Sequence, residues 1–123
     1  MNKQLDSRHG IVCRLPSERL GYFAWPGLAR LDDGTLLVSS SGLRSQHVCP
    51  WGKTVLNIST DEGRTWTAPR VINDSPLDDR DTGLLNLGGG RVLVTWFTSE
   101  TNTYFENEWV RGLVSAAELA DWK

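Results

Sequence analysis

Apolar residues along the chain come in short runs broken by glycine- and aspartate-rich positions, the way strands and turns alternate. Residues 25–42, WPGLARLDDGTLLVSSSG, and residues 81–98, DTGLLNLGGGRVLVTWFT, carry one skeleton in one order. Gly27 matches Gly83, Leu28 matches Leu84, Leu31 matches Leu87 and Gly34 matches Gly90, all at the separation of 56 between Gly27 and Gly83. Leu36, Leu37 and Val38 match Val92, Leu93 and Val94 at that same separation. Each copy is a run, a tight turn (Asp32-Asp33-Gly34 or Gly88-Gly89-Gly90) and a second aliphatic run, which is how a β-hairpin is written.

Between the hairpins lie KTVLNIS and WTAPRVI, two more β-rich runs joined by the polar octapeptide STDEGRTW at 59–66. The spacing predicts strands at about 26–31, 35–40, 53–59 and 66–72, with the next pair beginning near 82 and 91. A unit of roughly 50 residues built from four antiparallel strands has the period of a β-propeller blade. The chain holds one full unit (about 26–72) and the start of a second (from about 82), with IVCRL at 11–15 a candidate outer strand. A propeller takes about four to eight blades, so the expected fold is all-β, a portion of a β-propeller ring. Self-association through uncovered sheet faces and edges is expected of this chain alone. Ser115 and Glu118 stand in capping-box spacing, which predicts a short helix at about 116–122, while 110–114 reads as a further strand or a loop.

Composition narrows the function classes. Across 123 residues, 15 acids against 13 Lys and Arg leave a net charge of −2. With no basic run, neither nucleic acid nor a membrane surface is an expected partner. No run approaches the roughly 18 apolar residues of a membrane span, and MNKQLDSRHGIVCRLP has no apolar signal core, so a cytoplasmic location is expected. Cys13 and Cys49 fit no metal spacing and read as reduced thiols. No metal or cofactor is expected. Six tryptophans suit both sheet packing and sugar stacking.

The octapeptide then becomes informative. Ser59-x-Asp61-x-Gly63-x-Thr65-Trp66, preceded by an apolar strand and followed by Thr67-x-Pro69, resembles the Asp box of the BNR repeat found in sialidases and related β-propeller proteins. The resemblance covers residues 23 to about 98 and implies part of a six-bladed sialidase-like propeller and a glycoside hydrolase, or a non-catalytic propeller binding a glycan or protein. The box itself reads as architecture. A short acid in such a turn accepts hydrogen bonds from its own loop, Gly63 supplies a positive φ, and Trp66 packs over the hairpin. The sequence also departs from the sialidase pattern. Phe23-Ala24-Trp25-Pro26 stands where the family carries Phe-Arg-Ile-Pro, CRLP at 13–16 lies too far ahead to align, and no aspartate occurs between Gly42 and Lys53 for the acid/base.

Antiparallel topology places the box at one end of the blade and the longer connections at the other, so chemistry is expected in 40–52, 73–81 and 99–109. In NDSPLDDRD, strict alternation would set Asp79 and Asp81 on one face as a carboxylate pair, which glycoside hydrolysis needs, and Arg80 on the other. Arg44 and Arg80 are candidates to hold a sugar carboxylate in two-point fashion, and His47 to move a proton near neutral pH. Tyr104, Glu106, Glu108 and Trp109 would supply a second wall.

Overall fold

The computed structural model describes residues 7–100, 111–112 and 115–121. The second-wall residues and most of the 110–114 run lie outside them. Four strands, β1 (Tyr22–Arg30), β2 (Leu36–Arg44), β3 (Lys53–Ser59) and β4 (Arg70–Asn73), form one antiparallel sheet in chain order. A second sheet pairs β5 (Asp78–Gly88) with β6 (Arg91–Ser99). A short helix, α1 (Ala116–Asp121), follows. The described residues are thus all-β with antiparallel pairing and almost no helix, and none of their helices is long and apolar enough to cross a membrane. Cys13 and Cys49 are free thiols.

The repeat read from the sequence is a repeat of backbone geometry. Ala24 pairs with Ser41 and Gly27 with Ser39 in the first hairpin; Arg80 pairs with Phe97 and Gly83 with Thr95 in the second. In both, the strand gains one residue on its partner between those pairs. A left-handed residue sits in each bulge, Trp25 at φ 50° and Asp81 at φ 47°, at matching positions. Bulges of this kind twist a strand and re-aim its side chains. Past them the ladders run in step, Leu28 with Val38 and Leu84 with Val94.

Element bounds differ from expectation where a side chain or a bulge intervenes. β2 runs on to Arg44, because Gly42 still pairs with Lys53 and a second bulge, with Leu43 at φ 53°, sets Arg44 opposite Tyr22. Gly42 is required there: a Cβ would lie 2.6 Å from the Phe23 ring and 2.7 Å from Val55. β5 starts at Asp78, so DDRD is strand rather than loop. β4 covers only 70–73 because Pro69 has no N–H for the ladder. Thr67 continues the pairing alone, donating its N–H to the Ile58 carbonyl at 2.9 Å. Residues 11–15 form no strand. Turns from Leu15 to Glu18 and from Glu18 to Gly21 bend the chain into β1, and Val12 and Cys13 line a small cavity on the sheet with Val38 and Asn57.

The core is small and largely polar. Ala29, Leu37, Val38, Cys49 and Val55 are buried, alongside Ser39, Ser41, Arg44, Thr54, Asn57, Asp78, Asp79 and Thr82. Buried polar groups require partners, and the Ser39, Ser41 and Thr82 hydroxyls find them across the sheet-to-sheet contact, whereas Thr54 Oγ1 is buried without one. Thr82 Oγ1 donates to Ser39 Oγ at 2.7 Å, and the Asp81 N–H donates to Ser41 Oγ at 2.8 Å. The backbones approach closely there. A Cβ on Gly27 would stand 3.0 Å from the Thr82 carbonyl oxygen and 3.4 Å from Gly83 Cα.

The octapeptide closes the β3–β4 turn as a self-contained unit. Asp61 accepts from Thr65 Oγ1 at 2.6 Å, from the Thr65 N–H at 2.9 Å and from Ser59 Oγ at 2.8 Å. Gly63 (φ 80°) and also Glu62 (φ 60°) are left-handed, and Trp66 Nε1 donates to the Gly63 carbonyl at 3.1 Å. The Thr65 hydroxyl, then the Thr65 N–H and the Ser59 hydroxyl, hold the Asp61 carboxyl at about 2, below its ordinary 3.8. A carboxyl depressed on folding contributes stability above its unfolded pKa, and that contribution is lost as pH falls through the folded value. Denaturant titrations between pH 4 and pH 2 should therefore show the wild type losing stability more steeply than Asp61→Asn. Parallel curves would remove this role.

Candidate binding site at the loop end

Both β-hairpin turns and the octapeptide lie at one end of the molecule. Asn86 donates to the Arg30 carbonyl at 3.1 Å and to Asp32 at 2.9 Å, and Arg30 reaches Glu62 at 3.8 Å. The β2–β3 and β4–β5 connections meet at the opposite end, where the Asp79 N–H donates to the Gly52 carbonyl at 3.1 Å.

The foundation of that end is a buried ion pair. Arg44 and Asp78 are both fully buried, with Nη1 2.7 Å from Oδ1 and Nη2 donating to Oδ2 at 2.9 Å. The remaining guanidinium protons go to the carbonyls of Asp79 (3.1 Å), His47 (3.0 Å) and Gln46 (3.4 Å). Asp78 also accepts the Cys49 N–H at 3.3 Å. Arg44, expected as a carboxylate-binding group, thus has its fork committed inside the protein. Its work is to fold the 45–49 loop back onto β5. The bulge at Leu43 turned it inward, and no local pattern announces a bulge.

Asp79 is also fully buried, and it is a clamp. Its carboxylate accepts from the Ser75 N–H at 2.8 Å, Ser75 Oγ at 3.0 Å and Thr98 Oγ1 at 2.8 Å, tying the β4–β5 turn to β6. Asp81 is exposed, left-handed and in the bulge. The expected Asp79–Asp81 pair on one open face does not form, because the bulge interrupts the alternation that would have aligned them.

The structure does bring Arg80 and His47 together, and adds Trp25 beside both. Arg80 Nη2 lies 3.3 Å from His47 Nε2. A guanidinium has only donors, so in a hydrogen bond between the two Nε2 is the acceptor. The Arg80 Cζ stands 5.0 Å from the Trp25 ring centroid and 5.7 Å from that of Phe97, within cation–π range of both. His47 meets Trp25 edge-on at 4.7 Å, and Tyr22 is 6.4 Å away. Arg80 has a poor counter-ion: Asp78 Oδ2 is 4.0 Å from its Nε and already bound to Arg44, and this Nε is buried without a hydrogen-bond partner. No protein-family model, curated protein or solved structure matches the chain. Assignment of the site therefore rests on its own chemistry. An under-neutralised guanidinium, an exposed imidazole and an indole offer charge-assisted hydrogen bonds beside a flat apolar surface.

Trp25 and Phe97 were not among the residues singled out for the site. The one available signal was the repeat, which makes Trp25 the counterpart of Asp81 in the first hairpin.

Proposed function

We propose that the chain is a portion of a sialidase-like, Asp-box β-propeller whose loop end binds an anionic carbohydrate. Arg80 and His47 take the carboxylate of a sugar acid, and Trp25 takes a sugar face. The observation that carries this reading is Arg80, held between two rings with its nearest carboxylate already committed to Arg44. The octapeptide and the repeated hairpins support the propeller architecture. Glycoside hydrolysis is the family-derived form of the same reading, with Asp81 as the acid and His47 as the proton carrier. Binding without turnover is the form the geometry favours, since Asp79 lacks a free oxygen face and one exposed acid replaces the pair that hydrolysis uses.

Titration with a uronic acid or N-acetylneuraminic acid, read by tryptophan fluorescence and calorimetry, tests the site. Arg80→Ala should weaken binding by about 1.5–3 kcal/mol, the range for a hydrogen bond to a charged group, and Arg80→Lys by less. Neutral hexoses should bind weakly to all forms. Equal affinity of wild type and Arg80→Ala would remove the site. Release of product from a glycoside panel, abolished by Asp81→Asn, would select hydrolysis over binding.

A further inference from the structure

The two faces of the first sheet are covered differently. Ser39 and Ser41 turn toward β5 and bond to it, so Val38, Ser40 and Asn57 leave the opposite face, with Val38 paired directly to Asn57. The segment ahead of β1 crosses that second face without filling it. Beneath Val12 and Cys13 lies a cavity of about 150 Å³, walled by Phe23, Pro26 and Val38. Phe23 is held in place over Gly42, where a Cβ would lie 2.6 Å from its ring. None of the residues lining the cavity carries a charge. Burial pushes the Cys13 thiol up from its ordinary value, against a smaller opposing pull from Asn57, so the thiol too is uncharged at neutral pH.

Asn57 is the polar part of this wall, and its hydrogen bonding is incomplete. It is 1% exposed, and its Nδ2 donates to the Thr67 carbonyl at 2.9 Å, which fixes the orientation of the amide. Oδ1 is left buried without a hydrogen-bond partner. An acceptor stranded in this way costs stability, and this one belongs to a cavity with room for a partner. We propose that the cavity binds an uncharged molecule the size of one ring, with an apolar body and a single hydroxyl, of the phenol or cyclic alcohol class. The ring lies against Phe23, Pro26 and Val38, and the hydroxyl donates to Asn57 Oδ1. An apolar cavity of about 150 Å³ takes a benzene-sized ring. One water would supply the donor and fill only about 30 Å³ of that space. The site shares no residue with the loop end, so it does not depend on what the loop end binds.

The test is titration of the full chain with phenol and with toluene, read by NMR shifts and by protection of a thiol. Phenol should bind saturably and slow the alkylation of Cys13, which is the reporting thiol because Cys49 is fully buried. Ala24→Leu fills the cavity from β1, where Ala24 is half-buried on its wall. It should weaken phenol binding by about tenfold or more, since the ring and the added methyl groups compete for one volume, and it should cancel the protection of Cys13. The wild type should prefer phenol to toluene by roughly fivefold, the worth of one neutral hydrogen bond, and Asn57→Leu should lose that preference. Circular dichroism checks the fold of each variant. If Asn57→Leu does not fold, wild-type selectivity, Ala24→Leu and the protection of Cys13 decide without it. No saturable binding of phenol, equal wild-type affinity for phenol and toluene, binding untouched by Ala24→Leu, or a preference that survives Asn57→Leu overturns the proposal.

Discussion

Replacing Asp78 with alanine is expected to cost the fold about 3–5 kcal/mol, the range for removing one partner of a buried ion pair. Arg44 and Asp78 are both without solvent exposure, so the cation left behind has no water to turn to. The carbonyls of Gln46, His47 and Asp79 remain around it, and they offer dipoles where a full charge stood. The Cys49 N–H also loses its acceptor. A domain of this size has a net stability of about 5–15 kcal/mol, so the loss is a large share of the total. Urea unfolding at constant slope measures it, and a change below about 1 kcal/mol would show that the pair carries no such weight. Arg44→Met combined with Asp78→Leu should be far less damaging than Asp78→Ala alone, since replacing both members of a buried pair by apolar groups removes the stranded charge. His47 and Cys49 sit on the loop that Arg44 holds, so Asp78→Ala should also loosen the Arg80–His47 contact and weaken sugar binding.

How much of this was legible in the sequence depends on the range of the interaction. The hairpins were legible because a seven-residue skeleton recurs at one separation, and their registers obey it down to a shared bulge. The octapeptide was legible because each of its demands is met within eight residues. The loop end was legible in location only. Asp78, Asp79, Arg80 and Asp81 are consecutive, yet Asp78 pairs with a residue 34 positions earlier, Asp79 binds a threonine 19 positions later, Arg80 lies between two rings, and Asp81 is open to solvent. A period-two reading assigns such a run to two faces. Long-range partners and left-handed residues at Leu43 and Asp81 assigned it to four environments. The same limit explains Arg44, whose burial was decided by one extra residue in β2.

The second large effect is expected at a residue with no side chain. Gly52 lies where the β2–β3 loop returns to β3, and an added Cβ would collide with Arg44 Nη1 and Asp78 Oδ1 and stand 2.7 Å from Arg44 Cζ. Its φ is not in the left-handed region, so the requirement is for space alone. Both neighbours are pinned, since the ion pair has no room to shift without losing the hydrogen bonds that hold it. Gly52→Ala should therefore combine an overpacking cost of about 1–3 kcal/mol with part of the cost of separating the pair. The backbone is committed too, with the Gly52 N–H on the Cys49 carbonyl at 2.9 Å and its own carbonyl accepting from Asp79. Gly34 supplies the contrast. It is left-handed at φ 88° with only the far end of Arg30 nearby, at 3.5 Å, so Gly34→Ala should cost about 1–2 kcal/mol from backbone conformation alone. The decisive comparison is Gly52→Ala in an Arg44→Ala background. If the collision with the guanidinium is the cause, truncating Arg44 makes room and the second substitution should add little, a coupling of more than about 1 kcal/mol between contacting sites. Additive losses would place the cost of Gly52→Ala at Asp78 Oδ1 or in the loop backbone instead.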